Sequence, residues 1–348
     1  MTATTDDTTD HTTGGHLMES PTLAAWVGDV AGFAERRWQR EPAVYVPAAP
    51  APPFDLDELD AAFDSGLLRT PYLEMVRSNK VVVPPDAYTS SRVVNGITYS
   101  GFADRAKVVA QLRAGATLLL RCVDQWHRPT GDLVARLSEE LDRRVEAFFF
   151  VTPVGGQGLA VHRDDADVFV LQVAGSKTWY VHDAPAAADW QPGELPDDEH
   201  SPRLLHTVLE PGGVLYVPRG FAHRAVGAAG LSAHLSLTIR DLSLQDLRTA
   251  LEKLLTEGLD LPPRPLGEPA IADACATLLD RVRSAADTVT PDDLRLAARA
   301  ARARQPAEPA PPLAETARTW DAATRPGGLT SVGRTWRRLR DAARTAGP

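Results

Sequence analysis

A histidine and an aspartate one residue apart, His162 and Asp164, open the segment VHRDDADVFVLQVAGSKTWYVHD. A second histidine, His223, lies far downstream in GGVLYVPRGFAHRAV. In extended backbone, residues i and i+2 point to one face, about 6–7 Å apart along the chain. An imidazole and a carboxylate so placed can grip one face of a metal ion. A histidine delivered by a distant strand completes a set of two His and one carboxylate, which leaves coordination positions open and suits non-haem Fe(II). The HxD pair alone is a weak signal in an acidic chain with nine histidines. The plain alternatives are an ion-paired surface couple and, for His223, a structural histidine at a strand start.

The surrounding residues supply what such a set needs. After Asp164 comes the apolar run Val168 to Val173, then Ala174-Gly175-Ser176 as a turn, then Lys177 to Val181 as a returning strand. Before His223, Glu210-Pro211-Gly212-Gly213 reads as a tight turn, Val214 to Val217 as a strand and Pro218-Arg219-Gly220 as a break. That is hairpin grammar on both sides of the proposed ligands. From Glu146 the pattern is of short strands: Glu146–Thr152, Leu159–Arg163, Asp167–Val173, Lys177–His182, Leu204–Leu209, Gly213–Val217, His223–Ala225 and Leu231–Ile239. Such a series suits a jelly roll, in which strands distant in sequence become neighbours.

The blocks HRDDADVFVLQVAGSKTWYV and EPGGVLYVPRGFAH resemble those of the JmjC-type 2-oxoglutarate oxygenases, most of all the ribosomal oxygenases, which hydroxylate ribosomal proteins. The resemblance runs from about Trp26 to Arg240 and is densest from Phe150 onward. It implies an α+β protein with a double-stranded β-helix core of the cupin/JmjC kind, Fe(II) on His162, Asp164 and His223, 2-oxoglutarate as co-substrate, and O2. Similar proteins place a Lys or Arg near the offset of Lys177 to bind the distal carboxylate of 2-oxoglutarate. A dicarboxylate that chelates a metal at one end does need a buried cation at the other; the plain alternative is an exposed lysine after a turn. Strand alternation puts Lys177, Trp179 and Val181 on one face. The last strand carries Ser232, His234, Ser236 and Thr238 on one face, an odd polar row unless it lines a wet cavity. By similarity Thr238 also touches the co-substrate, while His234 is either a neighbour of the metal or a satisfied core residue. One departure stands out: Phe148 and Phe150 lie where related proteins tend to carry polar groups, often Tyr.

Length and composition bound the rest. The chain has 348 residues, 43% hydrophobic and 24% charged, with a net charge of −9. It can hold a full core and more than one structural unit, and its bulk charge is not that of a nucleic-acid binder. Cys122 and Cys275 read as buried reduced thiols of a cytoplasmic protein, and no stretch approaches the length of a membrane span. Residues 1–18 read as a disordered lead, 19–145 as a helix-rich part packing on the barrel, 146–242 as the core, 243–304 as a helical dimerisation region, and 305–348 as a Pro-rich linker with a basic tail from Arg334 to Arg344. Within the front part, Trp26 to Trp38, Leu56 to Leu67 (capped by Asp55), Asp104 to Arg113 and Thr130 to Leu141 (capped by Thr130) read as helices. Leu73 to Val83 and Ala116 to Val123 read as strands. His182, His200 and His206 read as surface or loop residues.

The expected function is that of an Fe(II)- and 2-oxoglutarate-dependent hydroxylase acting on a protein side chain, with a basic ribosomal protein as substrate and a homodimer as the assembly. The acidic loop Asp183 to Pro202, with Asp165 and Asp167 nearby, would draw in a basic polypeptide. Two alternatives stand beside it: hydroxylation of a small molecule or peptide natural product, and a metal-binding cupin without oxygenase activity, which has no use for a buried cation at Lys177.

Overall fold

The computed structural model describes residues 17–47, 52–77, 81–185, 190–195, 203–259, 266–302, 313–315 and 317. The chain divides into two compact units, Met1–Ala303 and Arg304–Pro348. Of the second, residues 313–315 and 317 are helical, and the expected linker and arginine tail lie outside the described residues, as does the expected disordered lead through residue 16.

The first unit opens with α1 (Pro21–Val27) and α2 (Val30–Arg36), followed by β1 (Ala43–Tyr45) and α3 (Leu56–Ser65). The single helix expected over Trp26 to Trp38 is thus two, broken at Gly28 (φ 71°), with Asp29 capping the second through a bond from Gly32 N–H. Asp55 caps α3 as expected, accepting from Asp57 and Glu58 N–H. Next come β2 (Leu73–Arg77), β3 (Val81–Val82), β4 (Thr89–Val94), β5 (Ile97–Ala103), α4 (Arg105–Arg113), β6 (Thr117–Leu120), α5 (Val123–Trp126) and α6 (Arg128–Leu141). The hairpin β4–β5 is absent from the sequence reading, although its Asn95-Gly96 tip, with both residues at positive φ, is a strong hairpin signal. Thr130 is not the cap of α6; the helix starts two residues earlier, where Pro129 fits its first turn.

The core consists of β7 (Arg144–Thr152), β8 (His162–Arg163), β9 (Asp167–His182), β10 (Gly193–Glu194), β11 (Arg203–Leu209), β12 (Val214–Val217) and β13 (His223–Arg240). Here the structure corrects the expected hairpins. Ala174-Gly175-Ser176 does not reverse the chain, and β9 and β13 are each one long strand paired antiparallel along their lengths. Both pass through irregular register between Gly227 and His234 and go on from one sheet into another. Their halves Asp167–Leu171 and His234–Ile239 lie in a sheet of order β1-β12-β9-β13-β7-β6-β2-β3. Their other halves pair in the order β11-β9-β13-β8-β10. Gly175 (φ 52°) allows the crossing, because a Cβ there would lie 2.7 Å from the carbonyl oxygens of Ala229 and Leu231. Two antiparallel sheets joined by shared strands form the expected double-stranded β-helix, and the front part adds strands to it as well as helices.

The larger sheet is covered on both faces. Phe149, Phe169, Leu235, Leu237 and Ile239 belong to the main core with Leu23, Trp26, Phe33 and Leu137 from the helices. Aromatic rings seal this contact: Phe33 meets Tyr216 at 5.0 Å and Trp26 meets Phe169 at 5.3 Å between centroids. The alternate residues of the same strands (Phe148, Phe150, Val168, His234, Ser236, Thr238) face inward, towards Lys177, Trp179 and His223 of the smaller sheet. After β13 come α7 (Leu244–Thr256), α8 (Glu268–Ala286) and α9 (Pro291–Arg302). A reciprocal capping box of Ser243 and Asp246 starts α7.

Candidate active site

The strand pairing brings the three sequence-singled ligands together. His162 of β8 lies directly across from His223 at the start of β13, so their rings share a face, 4.3 Å apart. Asp164 follows His162 by two residues. Its backbone carbonyl accepts from Gly220 N–H at 2.9 Å, tying the loop that carries Asp164 to the turn that leads into His223. Gly220 is required in that turn: its φ is 80°, and a Cβ would lie 2.9 Å from the Trp190 ring. Arg163 reaches the Gly220 carbonyl from the other side.

Each imidazole is oriented by a backbone carbonyl. His162 Nδ1 is 2.9 Å from Ala160 O and His223 Nδ1 is 3.0 Å from Phe221 O. A carbonyl can only accept, so Nδ1 donates in both rings and the Nε2 lone pairs point at the aspartate. The Nε2 atoms are 3.8 Å and 3.6 Å from the two Asp164 oxygens, and one ligand atom from each residue falls within 4.8 Å of the others. Burial and the neighbouring His162 push the His223 pKa down to about 4, which keeps its imidazole neutral and ready to ligate.

A cavity of about 240 Å³ opens from this triad and runs between the sheets. Lys177 and Thr238 both line it, as do Ser236, Phe148 and Phe150. Lys177 is 3% exposed and burial alone lowers its pKa to about 7. Its Nζ donates to Thr152 Oγ1 at 3.0 Å and lies 5.8 Å and 5.9 Å from the Phe150 and Trp179 ring centroids. No carboxylate of the described residues pairs with it. A buried cation with only a hydroxyl for company is costly unless a ligand supplies the anion. Thr238 Oγ1 makes a long bond of 3.5 Å to Glu146 O.

Several residues differ from expectation. Asp167 faces away from any substrate: it is 1% exposed, accepts from Tyr216 Oη at 2.6 Å and Gln39 Nε2 at 3.1 Å, and burial raises its pKa. It anchors the front segment to the barrel. Asp165 is exposed and ion-paired with Arg240. His182 is buried rather than superficial, His206 is exposed and stacks on Tyr180, and His200 lies outside the described residues. Cys275 is exposed and Cys122 half-buried, so neither is the expected buried thiol. Three arginines unremarked in the sequence, Arg121, Arg224 and Arg240, also line the cavity. Nothing in their local pattern marks them, since it takes the two ends of β13 and the residue after β6 to gather them.

Residues 125–247 match the family model described as JmjC domain. The chain is 33% identical over 216 residues to ribosomal oxygenase 1 of Bos taurus, covering 59% of this chain and 31% of that protein. It is 39% identical over 110 residues to the bifunctional lysine-specific demethylase and histidyl-hydroxylase NO66 of Drosophila grimshawi, covering 30% of this chain and 15% of that one. Thus the chain spans about a third or less of the length of these curated relatives. Among solved structures it is similar to the ribosomal oxygenase YcfD of Escherichia coli in complex with cobalt and 2-oxoglutarate, with 19% identity, 77% of this chain and 69% of that chain covered, and a TM-score of 0.49. Over residues 125–247, this chain is similar to the JmjC domain family.

Proposed function

We propose that the protein is an Fe(II)- and 2-oxoglutarate-dependent oxygenase that hydroxylates a protein side chain, with a ribosomal protein as its substrate. The observation that carries this is the pairing, in one cavity, of a His162–Asp164–His223 triad with the buried, anion-free Lys177. The donor set fits the metal: two imidazoles and a carboxylate, with Nδ1 of each ring turned to a backbone carbonyl. When bound, the metal supplies the oxidising chemistry in which 2-oxoglutarate and O2 become succinate and CO2 and a substrate C–H becomes C–OH. The chain's own part is placement. His162, Asp164 and His223 would hold the ion, and Lys177 would hold the distal carboxylate through a charge-assisted hydrogen bond. Thr238 would offer its hydroxyl beside it. Phe148, Phe150 and Trp179 exclude water from the same space, which strengthens every charge contact in it. The reading needs no protein acid or base.

Incubation with Fe(II), 2-oxoglutarate and the ribosomal proteins of the host tests the substrate. One of them is expected to gain a single oxygen atom by mass spectrometry. No gain on any of them, alongside steady succinate formation, would favour the second reading, a small molecule or peptide natural product. One observation supports that second reading. The described part of the cavity lining carries Arg224, which lies over the Tyr180 ring and has no ion pair among the described residues, and this does not invite a basic polypeptide. Of the acidic loop, only Asp183 and Glu194 fall among the described residues. A cupin that holds a metal but performs no oxygenation would leave Lys177 without a role.

The same reading places the protein in the cytoplasm as a homodimer. Support for the dimer is the exposed apolar surface of the last three helices, where Leu244, Ile271, Leu279 and Leu296 are 83%, 42%, 54% and 61% exposed. No helix of the described residues is long and apolar enough to cross a membrane.

A further inference from the structure

The pocket around Lys177 contains a second polar group that the triad does not use. His234 is 2% exposed and lines the cavity. Phe150 lies flat against its ring, 4.9 Å away and 8° from parallel, and Trp179 meets it edge to face at 5.5 Å. These are the same two aromatic rings that flank the Lys177 ammonium. His234 therefore stands in one aromatic box with Lys177. No hydrogen bond to either of its ring nitrogens occurs among the described residues, and Nδ1 is sealed from solvent. Only Nε2 remains to meet something inside the cavity. Burial and the nearby Lys177 both oppose a charge on this imidazole, so it enters as a neutral donor. A buried imidazole without a partner is destabilising, and an apolar core residue would remove that cost. Phe148 and Phe150 offer no hydrogen bonds here, which leaves a dicarboxylate's distal oxygens with only Lys177 and the Thr238 hydroxyl as the donors assigned so far.

We propose that His234 is a co-substrate-binding residue, donating from Nε2 to the distal carboxylate oxygen that Lys177 does not hold. This rests on the reading of the cavity as a 2-oxoglutarate site. Together the two residues would make that end selective for an anionic, two-oxygen terminus, in place of hydroxyl donors at positions 148 and 150.

Anaerobic calorimetry on the full-length, Mn(II)-loaded protein tests it with two probes: 2-oxoglutarate, and 2-oxopentanoate, which has the same carbon chain but no distal carboxylate. His234→Phe, which keeps the stacking on Phe150 and removes the nitrogens, is expected to weaken 2-oxoglutarate binding by roughly tenfold or more. Binding of 2-oxopentanoate is expected to change by less than about threefold. His234→Gln, whose amide nitrogen can reach the place of Nε2, is expected to keep most of the affinity, and His234→Asn, which is too short, to lose it. That Gln/Asn comparison stands even if the Phe variant melts early. Equal losses for both probes, an unchanged 2-oxoglutarate affinity in His234→Phe, or Asn outperforming Gln would each overturn the role of His234. If the unsubstituted protein bound no 2-oxoglutarate at all, the reading of the cavity itself would fall, and this inference with it.

Discussion

At the scale of single residues, burial sets the charge states of His223 and Lys177 in the site. His162→Ala and His223→Ala are each expected to lower metal affinity by more than the roughly 10–100-fold that loss of a supporting hydrogen bond brings. Anaerobic titration with Fe(II) would measure it, and full stoichiometry in both variants would remove the triad from the metal site. Lys177 gives a signed pH effect. Its pKa falls from 10.5 to about 7 on folding, so between those values the unfolded chain binds more protons and stability rises with pH. Below about pH 7 the whole burial penalty is present. Lys177→Met is therefore expected to be more stable than the parent at pH 6, by several kcal/mol at about 1.36 kcal/mol per pKa unit. The advantage should shrink as pH climbs through the window, as thermal melting would show. In the proposed role the same lysine must be charged when 2-oxoglutarate binds. Affinity for 2-oxoglutarate is then expected to weaken above about pH 7, with proton uptake visible as a buffer-dependent heat. Lys177→Met should lose at least about tenfold in affinity at pH 6.5, since a buried charge contact is worth roughly 2–5 kcal/mol.

At the scale of elements, the candidate ligand set is more local in the sequence than the strands that carry it. The spacing of His162 and Asp164, and the apolar runs on either side, are local properties of the chain, and so is the alternation that sends Lys177, His234 and Thr238 inward. Local chemistry could not tell that Ala174-Gly175-Ser176 bends a strand instead of reversing it. A positive-φ glycine serves both purposes, and what decides is the close approach of the Ala229 and Leu231 carbonyls from a strand more than fifty residues on. For the same reason Asp167 reads as a mouth residue until Tyr216 and Gln39, one on a later strand and one in the front segment, close around it. Gly175→Ala is expected to lower stability by about 1–3 kcal/mol or more, from strain at positive φ added to the carbonyl clash. Urea unfolding would measure it. A neutral result would mean that the bend tolerates a side chain and that the sheet crossing is set elsewhere.

At the scale of the whole molecule, the barrel accounts for the site, and the helices after Arg240 have apolar surface to spare. Ile271→Asp with Leu279→Asp is expected to convert a homodimer to a monomer while leaving metal binding intact, because both residues are exposed and lie on a helix beyond the barrel. Light scattering after size exclusion would decide it, and an unchanged assembly would place the interface elsewhere. The central claim is chemical, and the most direct measurement of it needs no knowledge of the substrate. Purified full-length protein with Fe(II), O2 and 2-oxoglutarate at pH 7 is assayed for succinate. Succinate is expected to exceed the protein in amount, to require both Fe(II) and O2, and to fall to background in His223→Ala and Lys177→Met. No succinate above background from folded, iron-loaded protein, or equal succinate from the parent and His223→Ala, would contradict an oxygenase built on this triad.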